Sequence, residues 1–277
     1  MALEPDPIQS YQERLPAPKL ATYVTSVWVL EVGADGGAYE HRTVPNGSVE
    51  ISHVLGSDRV EVSGPQRGPL VARVEPGTTV VGIRLRPGAA PSILGLPASE
   101  LVDDREELDG LGSPRSAALA ERLAEAGAPE SAVRLLEEEV AQRLAEATAP
   151  DPLVSAAVGR LQPWQSGGVG DLASDLYLSS RQLQRRFIAA LGFGPKTFQR
   201  ILRFQGFLAL ARDRHASVAR FARQAGYADQ AHLTREAATL TGLTPRAFLE
   251  ETWRHCGPNH DHDASYAGLR RALLARR

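Results

Sequence analysis

Cysteine is almost absent from the 277-residue sequence, in which Cys256 is the only one. A single thiol excludes an internal disulfide framework and is typical of a reducing compartment. The N-terminus has no basic segment followed by an apolar run, so no signal peptide is expected. No stretch approaches the roughly eighteen consecutive apolar residues of a membrane helix. These absences predict a cytoplasmic protein that does not enter a membrane.

Signatures of catalysis are missing as well: there is no phosphate-binding glycine loop, no nucleophile elbow and no paired catalytic Cys and His. His41, Glu50 and His53 suggest a β-barrel metal site, but they lack the His-x-His pair that places two ligands on one strand face. The His- and Cys-containing segment 255–263 is a second metal candidate, although short terminal segments of this kind are more often disordered. We therefore expect no enzyme activity, no metal and no cofactor.

Charge of each sign is concentrated in a different half of the chain. Residues 1–166 hold 14 Lys and Arg against 24 Asp and Glu, a net charge of −10. Residues 167–277 hold 17 against 9, a net charge of +8. The basic half is suited to phosphates, and opposite signs in the two halves suggest two separate roles.

The sequence predicts an α+β protein. Residues 1–112 are expected to form a β-rich domain, a sandwich or barrel-like fold, because short segments of alternating polarity are separated by Gly, Pro and Asn turn signals. These segments are 23–30, 49–55, 59–62 and 78–85. Helix-forming residues 113–152 are expected to be a helical linker, with a role in dimerisation left open. An all-α domain (153–252) and a polar tail (253–277) follow.

A duplication in the C-terminal half carries the functional argument. Residues 169–198 (unit one) and 218–248 (unit two) share apolar, Arg and Gly positions at a shift of 49 to 50, which indicates a repeated supersecondary unit. The shared positions include Val169 and Val218, Leu183 and Leu233, Arg185 and Arg235, Gly192 and Gly242, and Phe198 and Phe248. Each unit predicts a helix, a tight turn and a second helix, which is a helix-turn-helix.

Capping residues define the second helix of each unit. Ser179, with Gln182 three residues later, predicts a capping box before a helix over 180–191. Asp229 is the expected cap of a helix over 230–241. Both helices present side chains that suit a major groove, because Arg binds guanine and Gln binds adenine in bidentate fashion. The predicted base readers are Ser180, Arg181, Gln182, Gln184, Arg185, Gln230, His232 and Arg235.

Residues 195–214 predict one helix that joins the units. Twenty residues span roughly 30 Å, close to the roughly 34 Å between successive major grooves on one face of DNA. One chain would then place both second helices in adjacent grooves. Phosphate contacts, which position a protein without specifying sequence, are expected from Arg186, Arg200, Arg203 and Thr234, and further arginines of this region are candidates.

At these residues the chain resembles the AraC/XylS family of transcription regulators, over about residues 155–250. The likeness rests on Leu178-Ser179-Ser180-Arg181-Gln182-Leu183-Gln184-Arg185-Arg186-Phe187, Gly226-Tyr227-Ala228-Asp229-Gln230 and Gly242-Leu243-Thr244-Pro245. The resemblance implies seven helices with two helix-turn-helix units on one long helix. It places base readers at Arg181, Gln184 and Arg185, and at Gln230, Ala231, His232 and Arg235. Ala237 and Ala238 depart from the family pattern, and Gly206 interrupts the joining helix.

Residues 15–110 are similar to an uncharacterised β-rich domain that often precedes AraC-type units, through Val44-Pro45-Asn46-Gly47 and Val81-Gly82-Ile83-Arg84-Leu85-Arg86-Pro87-Gly88. The resemblance implies a sensor or dimerisation domain, and Trp28, Glu50, Arg84 and Arg86 are candidates for a ligand pocket. We expect a transcription regulator, an activator, that binds double-stranded DNA and responds to a small-molecule effector. Contacts with RNA polymerase and a homodimer are further expectations. The alternative is an interaction or small-molecule-binding module that no longer binds DNA.

Overall fold

The computed structural model describes residues 9–111, 115–161, 169–211, 218–255 and 262–274. Within these ranges, the strands are β1 (Gln9–Arg14), β2 (Val24–Val32), β3 (Tyr39–Thr43), β4 (Glu50–Val54), β5 (Val60–Ser63), β6 (Leu70–Val74), β7 (Thr79–Leu85) and β8 (Arg105–Glu107). Six of them form an antiparallel sheet in the order β1-β2-β7-β4-β5-β8, and β3 pairs with β6 in a separate antiparallel ribbon.

Alternation along the central strands gives the six-stranded sheet one apolar and one polar face. In β4, Ile51 is buried in an apolar core, whereas its neighbour Glu50 points to the opposite side. In β7, Ile83 is buried in the same core and Arg84 points away from it. This separation follows from the two-residue period of side chains along a strand. We call the two sides the apolar face and the polar face.

Helices cover the apolar face. They are α1 (Ala90–Leu94), α2 (Arg115–Ala124) and α3 (Pro129–Glu146). Val133, Leu136 and Val140 of α3 are buried in the same hydrophobic core as the apolar face of the sheet. The segment predicted as a linker therefore completes the core of the β-rich half, because its apolar stripe and the apolar face each need a covering surface. That stripe is consequently occupied within the chain and is not available as a dimer seam.

The C-terminal half is helical in its described residues, so the α+β fold class is confirmed. Its helices are α4 (Pro152–Arg160), α5 (Val169–Asp175), α6 (Ser180–Leu191), α7 (Pro195–Ala211), α8 (Val218–Gln224), α9 (Gln230–Thr241), α10 (Pro245–His255) and α11 (Asp263–Leu274). Helix α7 is the predicted joining helix. It runs through the core and buries Phe198, Phe204 and Phe207 completely.

The two halves are in direct contact at several points. At Gly47, a Cβ atom would lie 2.7 Å from the ring of Phe198, so this close approach of a loop to α7 requires glycine. Gln205 of α7 donates a hydrogen bond to the carbonyl of Pro45 (2.7 Å), and Arg42 of β3 pairs with Glu251 of α10 (2.7 Å). The joining helix is therefore held against the β-rich half.

The segment 253–277, predicted as a polar tail, differs from that prediction because it contains the packed helix α11. Tyr266, Leu269 and Leu273 recur at helical spacing and give α11 an apolar stripe, from which Leu273 is buried in the helical core. The start of α11 lies on the polar face of the sheet, where the backbone N–H of Ser265 donates to Glu13 (2.9 Å). The start of α11 thus contacts β1, the first strand in the described part of the chain.

Candidate nucleic-acid interface

Unit one is a tight helix-turn-helix built by local signals. Tyr177 turns the chain after α5 with a φ of 55°, in the left-handed region, and its side chain is 97% exposed. Ser179 then caps α6: its hydroxyl accepts from the backbone N–H of Gln182 (3.2 Å), and the Gln182 side chain accepts from the N–H of Ser179 (2.8 Å). The helix ends at Gly192, with a φ of 82°. The predicted bounds and capping box of α6 agree with the structure.

The outward side of α6 carries most of the predicted base readers. Arg181, Gln184 and Arg185 are exposed and lie on one stripe together with Ile188, because these positions follow the helical spacing of three and four residues. Leu183 and Phe187 are fully buried on the opposite side. We call the exposed set of Arg181, Gln184, Arg185 and Ile188 the α6 stripe. Its arrangement suits insertion of the helix into a major groove, where Arg and Gln side chains reach base edges.

The remaining candidates on α6 occupy different positions. Ser180 is exposed at the first turn, whereas the Gln182 side chain is engaged in the capping box. Arg186, a predicted phosphate contact, pairs with Asp151, the residue that caps the start of α4. The Arg186 pair thus ties α6 to α4.

Unit two repeats this construction with a different turn. Gly226 has a φ of 90°, a conformation that glycine adopts without steric cost. The carboxylate of Asp229 accepts from the backbone N–H of His232 (2.7 Å) and caps α9, which ends at Gly242. These bounds also agree with the sequence-based prediction. The duplicated unit is therefore present twice in the fold.

The outward side of α9 is less polar than the α6 stripe. Its stripe consists of Ala231, Thr234, Arg235 and Ala238, and Gln230 is exposed at the first turn. The Thr234 hydroxyl donates to the backbone carbonyl of Gln230 (2.9 Å), so its bond lies within the helix. Arg235 is the long polar side chain that this stripe presents.

Glu236 forms a buried charge cluster behind that stripe. Its Oε1 lies 3.3 Å from Arg200 Nε, 3.3 Å from Arg203 Nη1 and 3.4 Å from His232 Nε2, and its side chain is only 10% exposed. Arg203 also lies over the ring of Tyr227, 5.6 Å from its centroid. Burial, together with the Glu236 carboxylate, raises the pKa of the Tyr227 hydroxyl. The cluster therefore fixes α9 against α7.

This cluster changes the roles expected for two predicted site residues. Arg203 is only 16% exposed and is held by Glu236, an arrangement that serves the fold rather than a phosphate. His232 faces the same cluster and the Tyr227 ring, 5.2 Å away, instead of the α9 stripe. Arg200 is 42% exposed and remains accessible. Sequence reasoning missed Glu236, although an acidic residue directly after Arg235 in a basic region was a usable signal.

The candidate metal ligands do not converge into a site, whereas two of the ligand-pocket candidates, Glu50 and Arg84, form an ion pair (2.8 Å). Glu50 and His53 are three positions apart on β4 and point to opposite faces, and His53 Nδ1 lies 2.9 Å from the carbonyl of Arg59. Within the described ranges no three His, Cys, Asp or Glu side chains gather as a metal site. Most of the 255–263 metal candidate, residues 256–261, and the arginines at 212 and 214 lie outside the described residues. No helix in the described part of the chain is long and apolar enough to cross a bilayer.

Comparison with known families agrees with this geometry. A family model described as a helix-turn-helix domain matches residues 172–251. The C-terminal region is a helix-turn-helix domain of the AraC type. A second model, described as a domain of unknown function (DUF6597), matches residues 12–107, ahead of the helix-turn-helix domain. Both resemblances predicted from the sequence are confirmed, and the helix-turn-helix domain supports a DNA-binding transcription regulator.

Solved structures of ToxT from Vibrio cholerae resemble the chain at low identity. One ToxT structure is 9% identical, covers 87% of this chain and 98% of its own, and has a TM-score of 0.45. ToxT bound to (E)-4-(8-methylnaphthalen-1-yl)but-3-enoic acid is 10% identical, and the match covers 87% of this chain and 98% of the ToxT chain, with a TM-score of 0.44. ToxT bound to an unsaturated fatty acid is 9% identical, and the match covers 87% of this chain and 94% of the ToxT chain, with a TM-score of 0.40. No curated protein sequence matches the chain.

Proposed function

We propose that the protein is a sequence-specific transcription regulator that inserts α6 and α9 into adjacent major grooves of one DNA duplex. The observation that carries this proposal is the duplication itself: two capped helices expose arginines at equivalent positions, Arg185 and Arg235. The helix-turn-helix family match supports it.

The joining helix gives the proposal its geometry. Helix α7 has 17 described residues, which span about 26 Å at 1.5 Å per residue. Adjacent grooves on one face of DNA are roughly 34 Å apart, and the helices at either end of α7 add to its reach. Arg200 and the exposed Arg220 and Arg223 are the proposed phosphate contacts that would set the register.

The β-rich half is proposed to receive an effector. It contacts α7 through Pro45 and contacts α10 through Arg42, so a change in the β-rich half has a direct route to the helix-turn-helix domain. Activation rather than repression, contact with RNA polymerase, dimerisation and a cytoplasmic location stay predictions.

Selection of binding sites from a random duplex library tests the DNA proposal. We expect enrichment of two half-elements about one helical turn apart. Arg185→Ala should remove preference at one position and cost about 1–3 kcal/mol of binding free energy. Arg134→Ala, which alters an exposed arginine on α3 in the β-rich half, is the matched control and should bind like the wild type. Absence of enrichment at low salt with folded protein would overturn the proposal.

A second candidate function is an interaction module that no longer binds DNA. Ala231 and Ala238 favour it, because they leave the α9 stripe with few polar groups. Salt separates the two functions, since binding through several phosphates weakens steeply as salt rises. A shallow salt dependence of any duplex binding would favour the interaction module.

A further inference from the structure

The C-terminal ends of α6 and α9 both lie against the β-rich half. These ends are equivalent positions of the two units, Gly192 and Gly242. Both face one loop, residues 64–69, which connects β5 to β6 and which we call the 64–69 loop. Pro65, near its start, lies beside Gly192, and Pro69, at its end, lies beside Gly242. One loop of the β-rich half therefore contacts both of the helices that are proposed to enter DNA.

The contact at the end of α6 is tightly packed. A Cβ atom at Gly192 would lie 2.8 Å from Pro65 Cγ and would overlap the side chain of Val102. Gly192 and Pro65 are both buried. Helix α6 also packs more extensively against the short 3-10 helix Ala98–Leu101 than against the joining helix α7. The β-rich half is therefore a main support of α6.

The contact at the end of α9 is polar. Arg42 of β3 donates to the backbone carbonyl of Thr241 (3.2 Å), the last residue of α9, and to the carboxylate of Glu251 on α10 (2.7 Å). The last carbonyls of a helix have no partner within it, and the negative end of the helix dipole attracts a cation, so an arginine suits this place. Pro69 Cγ would lie 3.7 Å from a Cβ atom at Gly242, which is ordinary van der Waals contact. Arg42 thus attaches the end of α9 to the β-rich half.

The 64–69 loop is itself fixed within the β-rich half. A Cβ atom at Gly64 would overlap the backbone carbonyl of Leu101, so this close approach requires glycine. The backbone N–H of Asp103 donates to the carbonyl of Pro65 (3.1 Å). A loop that is packed and hydrogen-bonded in this way opens less readily than one with few contacts. The two contacts with α6 and α9 therefore come from one fixed surface.

We propose that the β-rich half fixes the separation of α6 and α9 through the 64–69 loop and Arg42, and thereby sets the spacing of the two DNA half-elements that the protein accepts. The proposal rests on the insertion of both helices into DNA, as proposed above, and it gives the β-rich half a positioning role in addition to reception of an effector. One inserted base pair moves the second half-element by about 3.4 Å along the duplex and about 35° around it, so a fixed pair of helices tolerates the insertion poorly. A pair of helices joined by α7 alone would follow the shift more easily.

A distance measurement without DNA tests the fixed separation. Ile188→Cys and Ala238→Cys, in a Cys256→Ser background, place spin labels at equivalent exposed positions of α6 and α9, and double electron–electron resonance gives the distribution of distances between them. We expect one narrow distribution in the otherwise wild-type protein and a broader one after Arg42→Gln, which removes the attachment of α9. Arg73→Gln, at an exposed arginine of the same two-stranded ribbon, is the matched control and should leave the distribution narrow.

A second variant tests the contact with α6. Val102→Ala removes the methyl groups that meet Gly192 but leaves the glycine in place, and it should also broaden the distribution. Val54→Ala, at a valine of β4 that is 42% exposed, is its control. Circular dichroism verifies the folding of each protein. A distribution that is as narrow in both folded variants as in the wild type would overturn the proposal, as would a broad distribution in the wild type.

A spacing series on DNA tests the consequence for recognition. The duplexes contain the two selected half-elements at the preferred spacing or with one base pair inserted, and a further duplex keeps only the half-element of unit one. On insertion we expect the wild type to lose affinity on the order of tenfold and Arg42→Gln to lose about threefold or less. Affinity for the single half-element should be equal in the two proteins, which a general loss of stability would not produce.

The outcomes of the series separate the two proposals. An unchanged spacing penalty in folded Arg42→Gln would overturn the role of the β-rich half in setting the spacing. Absence of binding to every duplex would count against the DNA proposal, whereas the distance measurement would still decide whether the β-rich half fixes the separation of α6 and α9.

Discussion

In each helix-turn-helix unit an ion pair attaches the second helix to a neighbouring helix, but the charge that the second helix contributes has opposite sign in the two units. Arg186 in unit one and Glu236 in unit two are equivalent at the 50-residue shift. Arg186 pairs with Asp151 of α4, whereas Glu236 gathers Arg200 and Arg203 of α7. The residue directly after the shared arginine therefore attaches each second helix to its neighbour. It is basic in unit one, where the partner is acidic, and acidic in unit two, where the partners are basic.

The units also differ in what they present outward. Along the stripes, Arg181 and Gln184 of unit one correspond to Ala231 and Thr234 of unit two, and only the arginine at 185 and 235 is retained. Sequence readout needs hydrogen-bonding side chains, so unit one is equipped for more of it. Unit two combines a more buried ion-pair cluster around Glu236 with an outward stripe that has fewer hydrogen-bonding side chains.

The largest expected effect concerns the two anchors. Glu236→Ala leaves the mostly buried Arg203 without its carboxylate and should cost about 3–5 kcal/mol of unfolding free energy, because an unpaired buried charge is expensive. Arg186→Ala breaks a pair that is 41% and 25% exposed and should cost about 1 kcal/mol or less. Urea denaturation of both variants measures the difference. Equal losses of unfolding free energy in the two variants would contradict the proposed difference between the two ion pairs.

The second effect concerns specificity. Arg181→Ala should cost about 1–3 kcal/mol on the selected duplex and relax one position of the half-element read by unit one. Ala231→Arg introduces an arginine at the unit-two position that corresponds to Arg181. It should create or strengthen a base preference in the half-element that unit two contacts. Site selection with each variant provides the measurement. If the half-element of unit two is already the better defined one in the wild type, the ranking of the two units is wrong.

The smallest effect concerns the caps. Ser179→Ala removes a reciprocal capping box and should lower the unfolding free energy by about 1 kcal/mol. Asp229→Ala removes a one-sided cap and should cost somewhat less. Thermal denaturation of the two variants, with Ser179→Gly as a control expected to lose only about a few tenths of a kcal/mol, compares them. A larger loss in Asp229→Ala would reverse the order of the caps.

What the sequence predicted well is local. The bounds of α6 and α9 followed from Ser179, Asp229 and the two closing glycines, whose effects act within a few residues. The packing partners did not follow, because they are set by distant segments. Periodicity shows that α3 has an apolar stripe but not that the sheet covers it.

The site shows the same division between local and distant causes. Exposure of Arg181 and Arg185 could be predicted from helical spacing. The burial of Arg203 and the inward direction of His232 could not, because both depend on Glu236 meeting α7 in space. A charged residue in a basic helix has the same appearance in sequence whether it faces a phosphate or a carboxylate.

During synthesis of the chain, the sheet is made before helix α11, which contributes contacts to the sheet's charge network of Glu13, Glu50 and Arg84. Arg84 leaves the ribosome 181 residues before Ser265, and Glu13 leaves it 252 residues before. Ser265 later accepts from Arg84 with its hydroxyl and donates to Glu13 with its backbone N–H. At roughly 5–20 residues per second, the nascent sheet waits on the order of ten seconds or more before α11 can complete this network. The sheet is thus synthesised before the helix that completes its charge network, and a ribosome that stalls before α11 leaves Glu13 and Arg84 without their contacts to Ser265.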